Sequence, residues 1–174
     1  MTSSKHYSLH NTMISITKMA LTILVTGSVF LFSSCSETIS QDTHKFSNES
    51  WNYLDSIQFS IEINENETPL DMFLLLRNTS DYDYSNIYIQ VDLLSPTHKK
   101  LVSERMEFVL ADKSGRWTGT GAANLFTNKL QIVYQSAFKE KGEYTLHLKH
   151  YMRNDELIGI RDIGYVLDYS DSFE

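Results

Sequence analysis

Ile57-Gln58-Phe59-Ser60-Ile61-Glu62-Ile63 alternates apolar and polar side chains without a break. Successive side chains of a strand point to opposite faces, so this run has one face for a core and one for water. Ile87-Tyr88-Ile89-Gln90-Val91-Asp92-Leu93 repeats the pattern. So do Leu130, Ile132 and Tyr134 between Gln131 and Gln135, and Tyr144, Leu146 and Leu148 between Glu143, Thr145, His147 and Lys149. These are half-buried antiparallel strands.

Leu70 to Leu76 and Ile158 to Leu167 read as more fully buried or continuously apolar strands, and Leu101 to Leu110 is mixed. Turn-forming clusters separate the runs at Asn64 to Pro69, Asn78 to Asn86, Ser95 to Lys100, Asp112 to Gly115, Lys139 to Gly142 and Arg153 to Glu156. No stretch carries a helical stripe. Seven or eight short strands at this spacing predict an all-β fold, an antiparallel two-sheet β-sandwich of jelly-roll or immunoglobulin-like type. About 120 residues is the size of one domain.

Ahead of it stands a leader. Lys5 and Lys18 precede an apolar stretch from Met19 to Ser34, which ends in Phe32-Ser33-Ser34-Cys35. Charge, then apolar run, then small residues is the layout of a signal peptide, and Met13 offers a second start within it. The apolar stretch is interrupted by Thr22, Thr26, Gly27 and Ser28 and falls short of a spanning helix. Cys35 is the only cysteine of 174 residues. A thiol behind two small residues reads as a lipidation site; the alternative is a plain secretory signal cleaved near Ser33 that leaves a free thiol. The expected organisation is a lipoprotein signal peptide over 1–34, a lipidated Cys35 with a polar tether over 35–48, and a β domain over 49–174. From Ser36 to Lys45 Ile39 is the only large apolar side chain.

With Lys5 and Lys18 removed, 13 basic and 22 acidic side chains leave a charge of −9. An acidic body disfavours nucleic acid and anionic headgroups as partners, so membrane attachment falls to the acyl chains on Cys35. One chain is marginal, whereas two or three hold firmly.

Motifs across the domain carry a family resemblance. Arg77-Asn78, Tyr82-Asp83-Tyr84-Ser85-Asn86-Ile87-Tyr88, Leu110-Ala111-Asp112, Gly115-Arg116-Trp117-Thr118-Gly119-Thr120-Gly121, Gly142-Glu143-Tyr144, Met152-Arg153 and Leu157-Ile158-Gly159-Ile160-Arg161-Asp162-Ile163-Gly164 occur in that order. Together they resemble the gliding-motility lipoprotein GldH family over residues 50 to 168. Asp83 stands where that pattern has proline, and His150 where it has glutamine. The resemblance implies a non-enzymatic outer-membrane lipoprotein of Bacteroidota, facing the periplasm or the surface, with protein partners in the gliding and type IX secretion machinery.

The same residues support physical readings. Gly115, Gly119 and Gly121 around Trp117 predict a tight hairpin with the indole covering one end of the sandwich. Trp117 with Tyr82, Tyr84 and Tyr88 could alternatively form an aromatic platform for a glycan or a protein. Arg153 with Asp162, and Arg77 with Asp112, are candidate ion pairs.

Site chemistry finds little else. Asp81, Asp83, Ser85 and Asp92 echo a calcium loop, but Asn86 replaces the turn glycine and Asp92 lies far along a strand. His147 and His150 are three apart on a strand and face opposite sides. No metal, no cofactor and no catalytic residue is expected. A glycan-binding surface lipoprotein is the second reading, and an envelope hydrolase with a concealed site the third.

Overall fold

A computed structural model describes residues 38–66, 69–133 and 138–170. The leader and Cys35 lie outside the described residues. The described chain is all-β, with strands β1 Thr38–Lys45, β2 Ser50–Asn52, β3 Ile57–Ile63, β4 Leu70–Thr79, β5 Asn86–Leu94, β6 Lys100–Val109, β7 Thr120–Ala122, β8 Leu125–Val133, β9 Gly142–His150, β10 Glu156–Ile158 and β11 Ile160–Tyr169. A single 3-10 turn spans Ser47–Glu49.

The strands form a five-stranded sheet ordered β1-β11-β4-β8-β7, a four-stranded sheet ordered β3-β9-β5-β6, and a small β10-β2 ribbon. Every pairing is antiparallel. Of the two topologies expected, the orders β1-β11-β4-β8 and β3-β9-β5-β6 fit the jelly roll, in which two Greek keys fold over each other.

The period-two reading holds in β3, β5 and β9; the run through Leu130 and Ile132 ends in buried Val133, and its Tyr134 and Gln135 lie outside the described residues. In β3, Ile57, Phe59, Ile61 and Ile63 are buried while Gln58, Ser60 and Glu62 are exposed. Ile87, Ile89, Val91 and Leu93 of β5 and Tyr144, Leu146 and Leu148 of β9 complete that sheet's inner face. From the other sheet come Met72, Leu74 and Leu76 of β4 and Ile163, Tyr165 and Leu167 of β11, all in one apolar cluster with the first set. The Phe59 ring lies 5.4 Å from that of Tyr165, edge to face, so the two sheets meet across a shared core.

Two expectations change. Leu70–Leu76 is not buried on both faces, because β4 alternates strictly and turns Asp71, Phe73, Leu75 and Arg77 outward. The expected tether over 36–48 is folded chain from Thr38 onward: β1 pairs with β11 from Thr38 opposite Asp168 to Lys45 opposite Asp162. Its side chains are almost all exposed. Backbone hydrogen bonding to a neighbour, rather than apolar burial, holds it, and a hydropathy pattern does not register that. Gly164 makes the pairing possible. A Cβ there would run into the backbone carbonyl of Asp42 and the Thr43 side chain.

The sandwich has two ends. Thr38, Tyr169, Leu70, Ile63, Gly142, Leu94 and Lys100 share one, as the strand registers show. The loops there touch: Lys141 N–H donates to Asn66 Oδ1 at 2.7 Å, and Ser170 N–H to the Pro69 carbonyl at 2.9 Å. At the other end the β10-β2 ribbon caps the core. Trp51 is fully buried, stacks on Phe46 at 5.1 Å and meets His150 edge-on at 5.2 Å.

Candidate functional site

The aromatic residues singled out in the sequence part company. Tyr82 is 3% exposed and donates its hydroxyl to the Asn86 carbonyl at 3.0 Å. Burial raises its pKa far above the usual phenol range. Trp117 packs on the core beside Phe126, ring centroids 5.5 Å apart, with Tyr82 at 6.4 Å. These two close one end of the sandwich and form no exposed platform. Tyr84 meets Tyr82 edge-on at 5.6 Å and, with Tyr88, reaches an open cleft of about 500 Å³.

That cleft is set by strand parity. Because Ile87 and Ile89 point inward, Tyr88 points outward, and the outer face of β6 brings Arg105 opposite Gln90 and Glu107 opposite Tyr88. Past the end of β9 the chain stays beside β5, with Tyr151 N–H donating to the Tyr88 carbonyl at 2.7 Å and Met152 Sδ accepting the Tyr88 N–H at 3.3 Å. This carries Tyr151 beneath Arg105, whose guanidinium sits 3.4 Å from the ring centroid. Arg153 and Asn154 complete the wall.

Neither Arg105 nor Arg153 has a carboxylate partner among the described ion pairs. Hydrogen bonding to Glu107 raises the pKa of the Tyr88 phenol, so it remains protonated at neutral pH. Two free guanidinium forks beside three phenol rings suit planar acceptors such as carboxylates and the flat faces of rings. Of these residues the sequence reading singled out Tyr84, Tyr88 and Arg153 and missed Arg105, Tyr151 and Asn154. Strand parity marks Arg105 as outward, but only the register of β5 on β6 shows what it stands beside.

The expected ion pairs are re-sorted. Arg77 binds Asp162, not Asp112: Nε donates to Oδ1 at 2.7 Å and Nη2 to Oδ2 at 2.6 Å. The two are direct cross-strand partners on β4 and β11, a register invisible in the sequence. Asp112 instead closes its own turn, accepting from the Ser114 hydroxyl at 2.6 Å, the Ser114 N–H at 2.9 Å and the Arg116 N–H at 3.0 Å, with Arg116 Nη2 at 3.1 Å. Those bonds, the Ser114 hydroxyl first, lower its pKa to about 2. Arg153 is thereby left to the cleft.

The glycines serve one turn and one close strand approach rather than a single hairpin. Gly115 takes a positive φ of 82° in the Asp112 turn, whereas Gly119 and Gly121 lie against β8, where a Cβ would strike Asn128 and the Leu125 carbonyl. A second cleft of about 490 Å³, lined by Gln41, Thr43, Leu75 and Thr127, has the already paired Arg77 and Asp162 in its wall. Among the described residues no three His, Cys, Asp or Glu side chains come together as metal ligands.

Fold and cleft define an all-β, two-sheet antiparallel domain that carries an arginine–tyrosine recess at one end. Residues 38–167 match the family described as GldH lipoprotein, and the chain belongs to that family. The gliding motility lipoprotein GldH homolog of Christiangramia forsetii is 28% identical over 151 residues, covering 83% of this chain and 92% of that one. The gliding motility lipoprotein GldH of Flavobacterium johnsoniae is 25% identical over 156 residues, covering 86% and 96%. Among solved structures, the VP2 subviral particle of infectious bursal disease virus overlaps with a TM-score of 0.37 at 14% identity, over 78% of this chain and 34% of that one. That score is too low to define a shared fold.

Proposed function

We propose that this chain is a non-enzymatic outer-membrane lipoprotein, held by acyl chains on Cys35, that acts as a protein-binding component of the gliding and type IX secretion machinery. Carrying this reading is a match that runs nearly end to end along relatives named for gliding motility. The cleft of Arg105, Tyr151 and Tyr88 supplies the partner surface. Arginine and tyrosine are enriched among the residues that dominate protein interfaces, and here neither Arg105 nor Arg153 has a carboxylate partner among the described ion pairs.

A deletion strain scored for surface spreading and for export of secreted cargo tests the role. Loss of either supports it, and a strain normal in both overturns it. Mild crosslinking of the tagged protein should recover envelope machinery, with less recovered from Arg105→Ala. A second reading, glycan binding, draws on the three phenol faces of Tyr84, Tyr88 and Tyr151. A glycan array with Tyr151→Ala as control separates the two. Trp117→Ala is a poor control because that indole packs on the core.

A further inference from the structure

We propose that the domain stands end-on at its membrane, with the Thr38 end against the lipid headgroups and the Arg105–Tyr151 cleft directed away from them. This rests on the reading of Cys35 as the lipidated residue. Cys35 and Thr38 are three peptide steps apart, a reach of at most about 11 Å. Thr38 is already paired with Asp168, so the slack in the chain ends there. A free tether through residue 48 would instead reach roughly 45 Å and leave every orientation open.

A short leash by itself permits the sandwich to stand or to lie on the edge of β1. Surface chemistry decides between them. That edge presents Ser40, Gln41, Asp42, Thr43 and His44, none of which gains by leaving water. Where β1 begins, at the Thr38 end, Ile39 is 38% exposed, Tyr169 50% and Leu101 36%; the more exposed Leu54 and Ile158 sit at the β10-β2 end, beyond the reach of the leash. Tyrosine, an apolar ring with a polar tip, is enriched at headgroup depth, and an aliphatic side chain beside it gains by leaving water.

The cleft is at the opposite end of the same strands. Tyr151 follows the last residue of β9, whose first residue, Gly142, belongs to the Thr38 end. Six to nine residues at about 3.3 Å each put Tyr88 and Tyr151 about 20–30 Å farther from the bilayer than the loops below them. A soluble domain or a chain segment crossing the aqueous compartment would meet this face first.

The lipidated protein, reconstituted in phosphatidylcholine vesicles containing a headgroup-bound nitroxide quencher, tests the orientation. Single cysteines at Lys139 (Lys139→Cys) and Asp155 (Asp155→Cys) take a fluorophore, since the thioether of a lipidated Cys35 does not react. We expect the label at 139 to be quenched several-fold more than the label at 155, with little change on adding salt. A Gly-Ser insertion between Glu37 and Thr38 should shrink the difference. Equal quenching at both sites, stronger quenching at 155, or a difference untouched by the insertion overturns the proposal. The lipidation reading fails separately, if Cys35→Ser protein binds the same vesicles as well as the parent.

Discussion

Arg77 and Asp162 face each other across β4 and β11 through two parallel hydrogen bonds of 2.7 and 2.6 Å, with the carboxylate side chain only 2% exposed and the guanidinium 33% exposed. Asp162 lies on β11, which has β1 on one side and β4 on the other. Water reaches the arginine but hardly touches the aspartate.

Arg77→Ala therefore strands a buried charge. Exposed pairs contribute about 0–1 kcal/mol, and breaking a buried one costs about 3–5. With one partner buried, a loss of about 3 kcal/mol is expected in urea unfolding, largely recovered in the double variant Arg77→Met with Asp162→Leu. A loss below about 1 kcal/mol would show that the aspartate is solvated in the free protein.

His150 makes stability depend on mild acid. It is 1% exposed, meets Trp51, and has neither ring nitrogen hydrogen-bonded among the described residues. Desolvation lowers its pKa below the ordinary 6.5. The unfolded chain thus takes up a proton that the folded one refuses, and stability rises with pH over that interval. It is complete above about pH 7 and declines as pH falls through 6.5 towards the folded value. Urea midpoints measured from pH 8 to pH 5 should fall, and His150→Phe should flatten the curve. Asp112 plays no part there, because its contribution is present above its usual 3.8 and vanishes only as pH falls through about 2.

Gly164→Val should detach β1. The new side chain meets the Asp42 carbonyl, which belongs to backbone and cannot swing aside. A cost of about 1–3 kcal/mol is expected, together with fast amide exchange and protease cleavage confined to Thr38–Lys45. Protection of that segment equal to the parent would mean that β1 can shift without losing its register.

Arg105→Ala and Tyr151→Ala separate function from folding. The stacked pair is exposed, so each change should cost about 1 kcal/mol or less. Expression and midpoint should therefore stay near those of the parent while spreading or cargo export in a complemented deletion strain is lost. Full complementation by both variants would remove the cleft from the functional account.

Alternation made β3, β5 and β9 legible because each buries one face against a common core, and a period of two records that burial directly. β1 was not legible, since its order comes from backbone hydrogen bonds to a strand far along the chain and leaves its side chains in water. The cleft was half legible for a related reason. Tyr84, Tyr88 and Arg153 sit in motifs near one another, but Arg105 joins them through the register of β5 on β6 and Tyr151 through a backbone bond to Tyr88. Arg77 shows the same limit. The residue was noticed, and its partner depended on which strand lay alongside.

The pairing of β1 with β11 also has a bearing on how the protein is made. The first described strand has the last described one as its neighbour in the sheet, and the Ser40 to Tyr165 hydroxyl contact spans 125 positions. A chain emerging from a translocon amino end first has nowhere to put Thr38–Lys45 until Ile160–Tyr169 has followed. Such distant closure slows folding. On the proposed reading of Cys35 as an acylated residue behind a cleaved leader, both modifications would act on a still extended substrate, and the sandwich would lock down only after export.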